Sequence, residues 1–134
     1  GQISGDIVLN LDFAPTFLDY AGIHNPIGMQ GKSLRSLTRG QRPKDWRTSM
    51  YYHYYEYPQG WHFVKRHYGI RTKRYKLIHF YDDIDAWEFF DLQKDPGEIN
   101  NVYNDPAYKD VIEKTKQELM ILRQEVGDTN QINN

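Results

Sequence analysis

The chain has 134 residues, with 17 lysines and arginines against 18 aspartates and glutamates, for a formal net charge of −1. That length sets one domain with a modest core as the default, and 39% hydrophobic content is too high for a chain disordered by composition. The charge balance excludes a general polyanion or nucleic-acid binder, the lack of cysteine excludes disulfides and thiolate metal sites, and no apolar run is long enough to cross a membrane as a helix.

The abrupt start at Gly1-Gln2-Ile3-Ser4 is expected to be a cut in a longer polypeptide. The lack of a visible secretory signal then carries no information. Asp12 to Gly22 reads as a short helix. Asp12 is placed to cap it, and Pro15 falls in the first turn, where a missing N–H costs little. Phe13, Phe17 and Ala21 recur every four residues on one face, and Gly22 supplies a left-handed stop. This helix has no obvious partner in the chain. It is expected to dock on something upstream and to expose Phe13, Phe17 and Leu18. Residues 23–47 mix Gly, Pro, Arg and Lys without a period, which predicts a long loop with one helical turn. Loops of that length inside a domain are often functional.

From Arg47 to Leu92 the pattern turns to period two with β-rich composition. Strands are predicted near 48–56, 64–72, 74–81 and 86–91, as an antiparallel meander. Asp82-Asp83-Ile84-Asp85 reads as a solvated hairpin turn. It lacks the glycine and the distal glutamate of a calcium loop. Phe90 to Glu98 ends the sheet in a Pro-Gly turn. Asp105-Pro106 opens the last helix, with Asp as cap and Pro at the first position. Val111, Ile112, Thr115, Leu119, Leu122 and Val126 form its core stripe, Asp110 and Lys114 are spaced to pair, and Gly127 ends it. The fold class is therefore α+β. A four-stranded antiparallel sheet packs against one long C-terminal amphipathic helix, preceded by a short helix and a long loop. The whole chain, 1–134, is read as a single domain: short helix 5–22, loop 23–47, sheet 48–92, helix 105–127.

The segment from Gly60 to Thr72 carries the chemistry. It sets two histidines and several cations among aromatic and β-branched residues. Between Lys32 and Lys76 only Asp45 and Glu56 oppose the cations. The eleven tyrosines gather mostly between Tyr51 and Tyr81. Imidazoles, cations and phenols on a sheet edge suit an anionic, hydroxyl-rich ligand. No nucleophile stands out, so the chain reads as half of an active site. His67 starts a strand beside Gly69, where a backbone can approach a ligand, and its functional reading is a pocket histidine that donates to the sugar or to its anionic group. The plain alternative is a strand-end histidine satisfied by solvent. His62 sits beside Trp61, which either stacks on a sugar or covers the core edge. Arg71 either clamps an anion or pairs with an acid of the neighbouring strand or of an absent domain. Glu56 either accepts from a sugar hydroxyl or is a hydrogen-bonded carboxylate among tyrosines. His24, His53 and His79 lack metal spacing and read as structural or exposed.

Three segments, in this order, resemble the C-terminal part of the sulfatase family. They are Asp12-x-x-Pro15-Thr16-x-Leu18-Asp19-x-Ala21-Gly22 with Met29-Gln30-Gly31-Lys32-Ser33-Leu34; His67-Tyr68-Gly69-Ile70-Arg71-Thr72-x-Arg74-Tyr75-Lys76-Leu77-Ile78; and Glu88-Phe89-Phe90-Asp91-Leu92-x-x-Asp95-Pro96-x-Glu98-x-Asn100-Asn101. The order and spacing resemble bacterial polysaccharide and glycosaminoglycan sulfatases of the alkaline-phosphatase superfamily. The resemblance implies a large N-terminal α/β domain and a smaller C-terminal subdomain with a four-stranded sheet and a helix. It implies a formylglycine nucleophile, made from Cys or Ser with Arg four residues on, and a calcium ion. Both belong to the N-terminal domain. This chain has no cysteine, and none of Ser4, Ser33, Ser36 or Ser49 has Arg four residues later. No catalytic or metal-ligating residue is therefore transferred, and the chain alone is expected to hydrolyse nothing. What the resemblance does imply for this chain is a substrate wall with histidines at the positions of His67 and His62; Arg71 and Glu56, read from the residues themselves, are the further candidates for it. The expected partners are a sulfated sugar, such as a 6-sulfated N-acetylglucosamine, and the chain's own N-terminal domain. The parent is expected to be periplasmic or extracellular. The alternatives are a non-catalytic carbohydrate- or protein-binding module, and the C-terminal part of a phosphoryl-transfer relative.

Overall fold

The computed structural model describes residues 3–26, 28–58, 61, 63–82 and 84–128. By its internal contacts the chain divides into two units, Gly1–Thr48 and Ser49–Asn134.

In the first unit a 3-10 turn, Asn10–Asp12, runs directly into helix α1, Phe13–Tyr20. A single turn of helix, α2, covers Arg35–Thr38. Asp12 does not cap α1 with its side chain. The backbone is already helical at Asp12, with φ −80° and ψ −17°, so the carboxylate turns inward. It is fully buried, at 0% exposure. There it accepts from Leu9 N at 2.8 Å, from Lys32 N at 2.9 Å and from both terminal nitrogens of Arg47, Nη2 at 2.7 Å. Burial pushes this carboxyl up, but Arg47 and the two amides outweigh it, and the net direction is down. Thr16 adds a second tie: its hydroxyl donates to Asp12 O at 2.6 Å and accepts from Leu34 N at 2.8 Å. Gly31 fits because its Cα lies against Leu11, whose carbonyl oxygen would sit 2.0 Å from an added Cβ. Polar contacts at Lys32, Leu34 and Arg47, with the close fit of Gly31, thus tie down the loop. Phe13 is 53% exposed and Phe17 69%, as the sequence predicts, while Leu18 is half-buried.

The second unit is the predicted meander. Strands β1 (Ser49–Tyr54), β2 (His67–Thr72), β3 (Tyr75–Phe80) and β4 (Ala86–Asp91) lie in that order, each antiparallel to the next. β1 and β2 are shorter than predicted, because the chain leaves the ladder after Tyr54 and rejoins it at His67. Tyr68, Ile70, Leu77 and Phe89 are buried on one face with Ile112 and Leu119 of helix α3, Lys109–Glu125. α3 is entered through a 3-10 turn, Pro106–Tyr108, where Asp105 accepts from Ala107 N at 2.9 Å. Gly127 follows it at φ +73°, the left-handed stop. Asp110 and Lys114 form no ion pair. Glu113 and Lys116 do, at 3.4 Å. An exposed helical pair is worth only a few tenths of a kcal/mol, too little to impose one geometry.

Three polar residues of the Glu88–Asn101 motif staple the turn after β4. Asp91 takes Arg74 through Nη2 at 2.9 Å and Nε at 3.2 Å. Asp95 accepts from Ile99 N and Asn100 N at 2.8 and 2.7 Å. Asn101 Oδ1 accepts from Phe89 N and Tyr103 N, both at 3.0 Å. Their roles are structural.

Asp12→Ala would strand the guanidinium of Arg47, whose side chain is only 13% exposed. The expected loss is about 3–5 kcal/mol of stability in denaturant unfolding. A loss below about 1 kcal/mol would contradict the place given to this pair.

Candidate functional site

The sheet's second face, opposite the helix, receives every other side chain. From β1 these are Met50, Tyr52 and Tyr54, and from β2 His67, Gly69 and Arg71, with Tyr54 directly opposite His67 and Tyr52 opposite Gly69. The His67 ring is caged. Tyr54 stacks on it at 5.4 Å between centroids and 22°, Tyr52 meets it edge-on at 6.0 Å, and Phe80 lies 5.1 Å away. Its Nδ1 lies 2.8 Å from Lys65 O. A carbonyl oxygen only accepts, so Nδ1 carries the proton. In the neutral ring Nε2 then bears the lone pair. Nε2 makes no hydrogen bond among the described residues, and it is not one of the buried polar atoms left without a partner. His67 therefore presents an acceptor from a ring fixed by three aromatic neighbours.

Gly69 has a different reason from the one predicted. An added Cβ would meet Tyr52 Oη at 2.6 Å and Leu77 O at 2.5 Å. The missing side chain admits the Tyr52 ring, not a ligand. Arg71 is 49% exposed along its side chain and lies 3.6 Å from Glu98 Oε1. Lys76 shares the same carboxylate. The acid that pairs with Arg71 thus comes from the turn after β4, not from a neighbouring strand. His67 and Arg71 stand four residues apart on one strand, about 13 Å between Cα atoms. They would touch different parts of a ligand. Glu56 is exposed in the connection after β1. His62 lies outside the described residues. Trp61 is 96% exposed, so it does not cover the core edge.

The acidic turn is tied down. Asp82 pairs with Arg66 at 3.0 Å and Asp85 with His79 at 2.8 Å; Asp83 lies outside the described residues. Among the described residues no group of three or more His, Asp or Glu is placed to hold a metal ion. The described side chains therefore assemble no cluster that fits calcium. The first unit carries a cavity of about 480 Å³ beside α1, lined in part by Asp19, His24, Lys32, Ser33 and Asp45. Its two carboxylates already serve Ser33 with Arg35, and Lys32.

The helix face holds polar groups that sequence reasoning did not assemble. His53 Nδ1 donates to Asp128 at 2.7 Å, and its Nε2 accepts from the Tyr81 hydroxyl at 2.7 Å. Tyr51 also donates to Asp128, and Arg123 lies 3.7 Å from the same carboxylate. The order Asp, His, hydroxyl copies a nucleophilic triad. Burial, however, pushes the Tyr81 phenol up, away from activation. The cluster latches the end of α3 to the sheet. His79 is built likewise: Tyr68 donates to Nδ1, Nε2 donates to Asp85, and Trp87 stacks at 4.1 Å. His53 and His79 are thus structural, as predicted.

Residues 1–125 match the model of the family described as N-sulphoglucosamine sulphohydrolase, C-terminal. The chain belongs to that family. It is 52% identical over 127 residues to an N-acetylglucosamine-6-O-sulfatase of Bacteroides thetaiotaomicron, matching 93% of this chain and 22% of the relative. A solved protein in complex with its substrate, D-glucosamine-2-N,6-O-disulfate, superposes with a TM-score of 0.85 at 47% identity, over 92% of this chain and 25% of the other. The phosphonate monoester hydrolase of Agrobacterium radiobacter follows the same fold, with a TM-score of 0.69 at 26% identity over 86% of this chain and 24% of its own. The chain thus spans about a quarter or less of these relatives. As a sulfatase-type C-terminal region it has the sheet and helix that the resemblance implies.

Burial holds the imidazoles of His53 and His79 below the ordinary value, against the pull of Asp128 and Asp85. The unfolded chain takes up protons near pH 6.5 that the folded chain refuses. Stability is therefore whole above that pH and is lost as pH falls below it toward the depressed folded values. The melting temperature should be lower at pH 5.5 than at 7.5, with a smaller gap in His79→Gln. A melting temperature that rises on acidification would contradict this.

Proposed function

We propose that this chain is the C-terminal portion of a sulfatase acting on a sulfated amino sugar of the glycosaminoglycan type, and that the second face of its sheet forms part of the substrate wall. The relative named for N-acetylglucosamine-6-O-sulfatase activity, at 52% identity, supports the substrate class. So does the neighbour whose printed substrate is a disulfated glucosamine. Identity to the phosphonate hydrolase is lower, at 26%, which favours sulfate over phosphoryl chemistry.

The observation that carries the reading is the caged His67. A ring packed by Tyr52, Tyr54 and Phe80, with Nδ1–H fixed on Lys65 O, offers Nε2 at a set angle. A pyranose hydroxyl donates to such an acceptor, and a sulfate ester, which has no proton to give, does not. With the lone pair on Nε2, His67 therefore reads the sugar ring. Arg71, only loosely held by Glu98, supplies positive charge farther along the face. Glu56 and His62, on the β1–β2 connection, complete the proposed wall.

The reactive groups would come from a large N-terminal domain. A formylglycine there would supply the nucleophile, and a calcium ion would offset the charge of the sulfate. No residue of this chain takes either role. The wall's part is to orient the sugar and to exclude water around it. Sulfated polysaccharides are too large and charged to cross a bilayer unaided, which favours a periplasmic or extracellular parent.

Two measurements test the reading. The purified chain alone should not turn over an arylsulfate, and turnover that survives repurification would contradict it. In the enzyme that carries this chain, His67→Ala should lower kcat/KM for a 6-O-sulfated glucosamine about tenfold, the worth of one hydrogen bond to a sugar hydroxyl. Activity on a small arylsulfate, which has no such hydroxyl, should hardly change. An equal loss on both substrates would mean that His67 acts only by holding the fold.

A further inference from the structure

Where the chain leaves β1 and where it rejoins β2, the two ends are tied to each other by a closed circuit of contacts. The Tyr55 ring stacks on His53 at 3.6 Å between centroids and 25°. Tyr55 O accepts from Arg66 Nε at 3.0 Å. Arg66 O accepts from Tyr81 N at 3.3 Å. The Tyr81 hydroxyl donates to His53 Nε2 at 2.7 Å, which returns to the start. Asp128, 2.7 Å from His53 Nδ1, keeps the His53 proton on that nitrogen and leaves Nε2 the lone pair that Tyr81 meets. Asp82 holds Arg66 Nη1 at 3.0 Å. Arg66 is thus fixed through its carbonyl, its Nε and its Nη1. It shares a planar peptide unit with Lys65, whose carbonyl oxygen lies 2.8 Å from His67 Nδ1.

We infer that His53, Tyr81 and Arg66 are positioning residues for His67: they hold the Lys65 carbonyl where it keeps the His67 proton on Nδ1 and leaves Nε2 as the acceptor. The effect on substrate rests on the function proposed above. A neutral imidazole without partners shares its proton between both nitrogens, so a single tautomer persists only where a hydrogen bond holds it. For His67 that bond goes to Lys65 O. The aromatic cage sets the plane of the ring and leaves the place of the proton to that oxygen. The Lys65–Arg66 peptide turns only if Arg66 turns, and the ties of Arg66 run to Tyr55, Tyr81 and Asp82. Two of these, Tyr55 and Tyr81, are held in turn by His53. The latch that seats the end of α3 therefore sets the hydrogen-bonding sense of a side chain on the opposite face of the sheet.

The test reads the ring nitrogens of the histidines in the whole chain by nitrogen NMR at about pH 7.5, where an ordinary imidazole is neutral. His67 should show a protonated Nδ1 and a bare Nε2. His79, whose Nε2 donates to Asp85 while Nδ1 accepts from Tyr68, marks an intact sheet. Tyr81→Phe removes the hydroxyl link. With the His79 signals in place, His67 should then carry its proton on Nε2 in about half of the molecules or more. Arg66→Lys removes the Nε link and should do the same. The Arg66 side chain is 40% exposed, so this second variant folds and decides the matter where Tyr81→Phe does not. His67 still protonated on Nδ1 alone in a folded variant overturns the inference. In the enzyme that carries this chain, Tyr81→Phe should lower kcat/KM for a 6-O-sulfated glucosamine about threefold and add nothing to the loss in His67→Ala. A further loss in the double variant means that Tyr81 acts by another route, and also overturns it. If His67→Ala itself leaves kcat/KM unchanged, the substrate wall fails, and the tautomer readout alone decides the positioning.

Discussion

Side chains alternate along a strand, and in the β1–β2 pair that alternation decides the rest. The register sets Tyr51 opposite Ile70 and His53 opposite Tyr68, and these turn to the helix. The residues between them, Tyr52, Tyr54, His67 and Arg71, turn the other way. A slip of one residue would drive His67 into the apolar core and set Ile70 in its place outside. The burial of Ile70, Leu77 and Phe89, each at 0% exposure, forbids that slip. The core therefore fixes which histidines lie on the face away from the helix and which are walled in. The same residue type then does two jobs in one sheet. His53 and His79 have both ring nitrogens spoken for. His67 has one nitrogen committed and, among the described residues, no partner at the other.

The first unit solves a different problem. Most of its length has no repeating backbone pattern, so its amides need partners other than a ladder. Asp12 supplies them at one point by accepting from two backbone amides and one guanidinium. Thr16 extends the tie to Leu34. The unit leaves Phe13 and Phe17 of α1 bare, stacked on each other at 6.5 Å between ring centroids. In both units, then, buried polar groups fix geometry and apolar area supplies the driving force.

Much of this was legible from residue order. Period-two alternation marked all four strands, and the stripe from Ile112 to Leu122 marked the helix that covers them. Those signals are local and repeat, so they survive without knowledge of partners. What escaped depends on residues far apart in the chain. Asp12 looks like a helix cap until Arg47, 35 residues later, is brought to it. Gly69 looks like an opening for a ligand until the register lays Tyr52 across it. Arg71 finds Glu98 only because the turn after β4 folds back. His53 and Asp128 are 75 residues apart, and no spacing rule links them. For the site, His67 is marked by its place at a strand start and by the family resemblance, but the Tyr52–Tyr54–Phe80 cage that fixes its ring needed the sheet to be assembled.

The most direct check on the wall is a structure of the intact enzyme holding a sulfated glucosamine. The account predicts His67 Nε2 within about 3.2 Å of a sugar hydroxyl, with the Tyr54 ring still stacked behind the imidazole. A bound sugar whose hydroxyls are all met by other residues, with His67 turned away or sealed under protein, would contradict it.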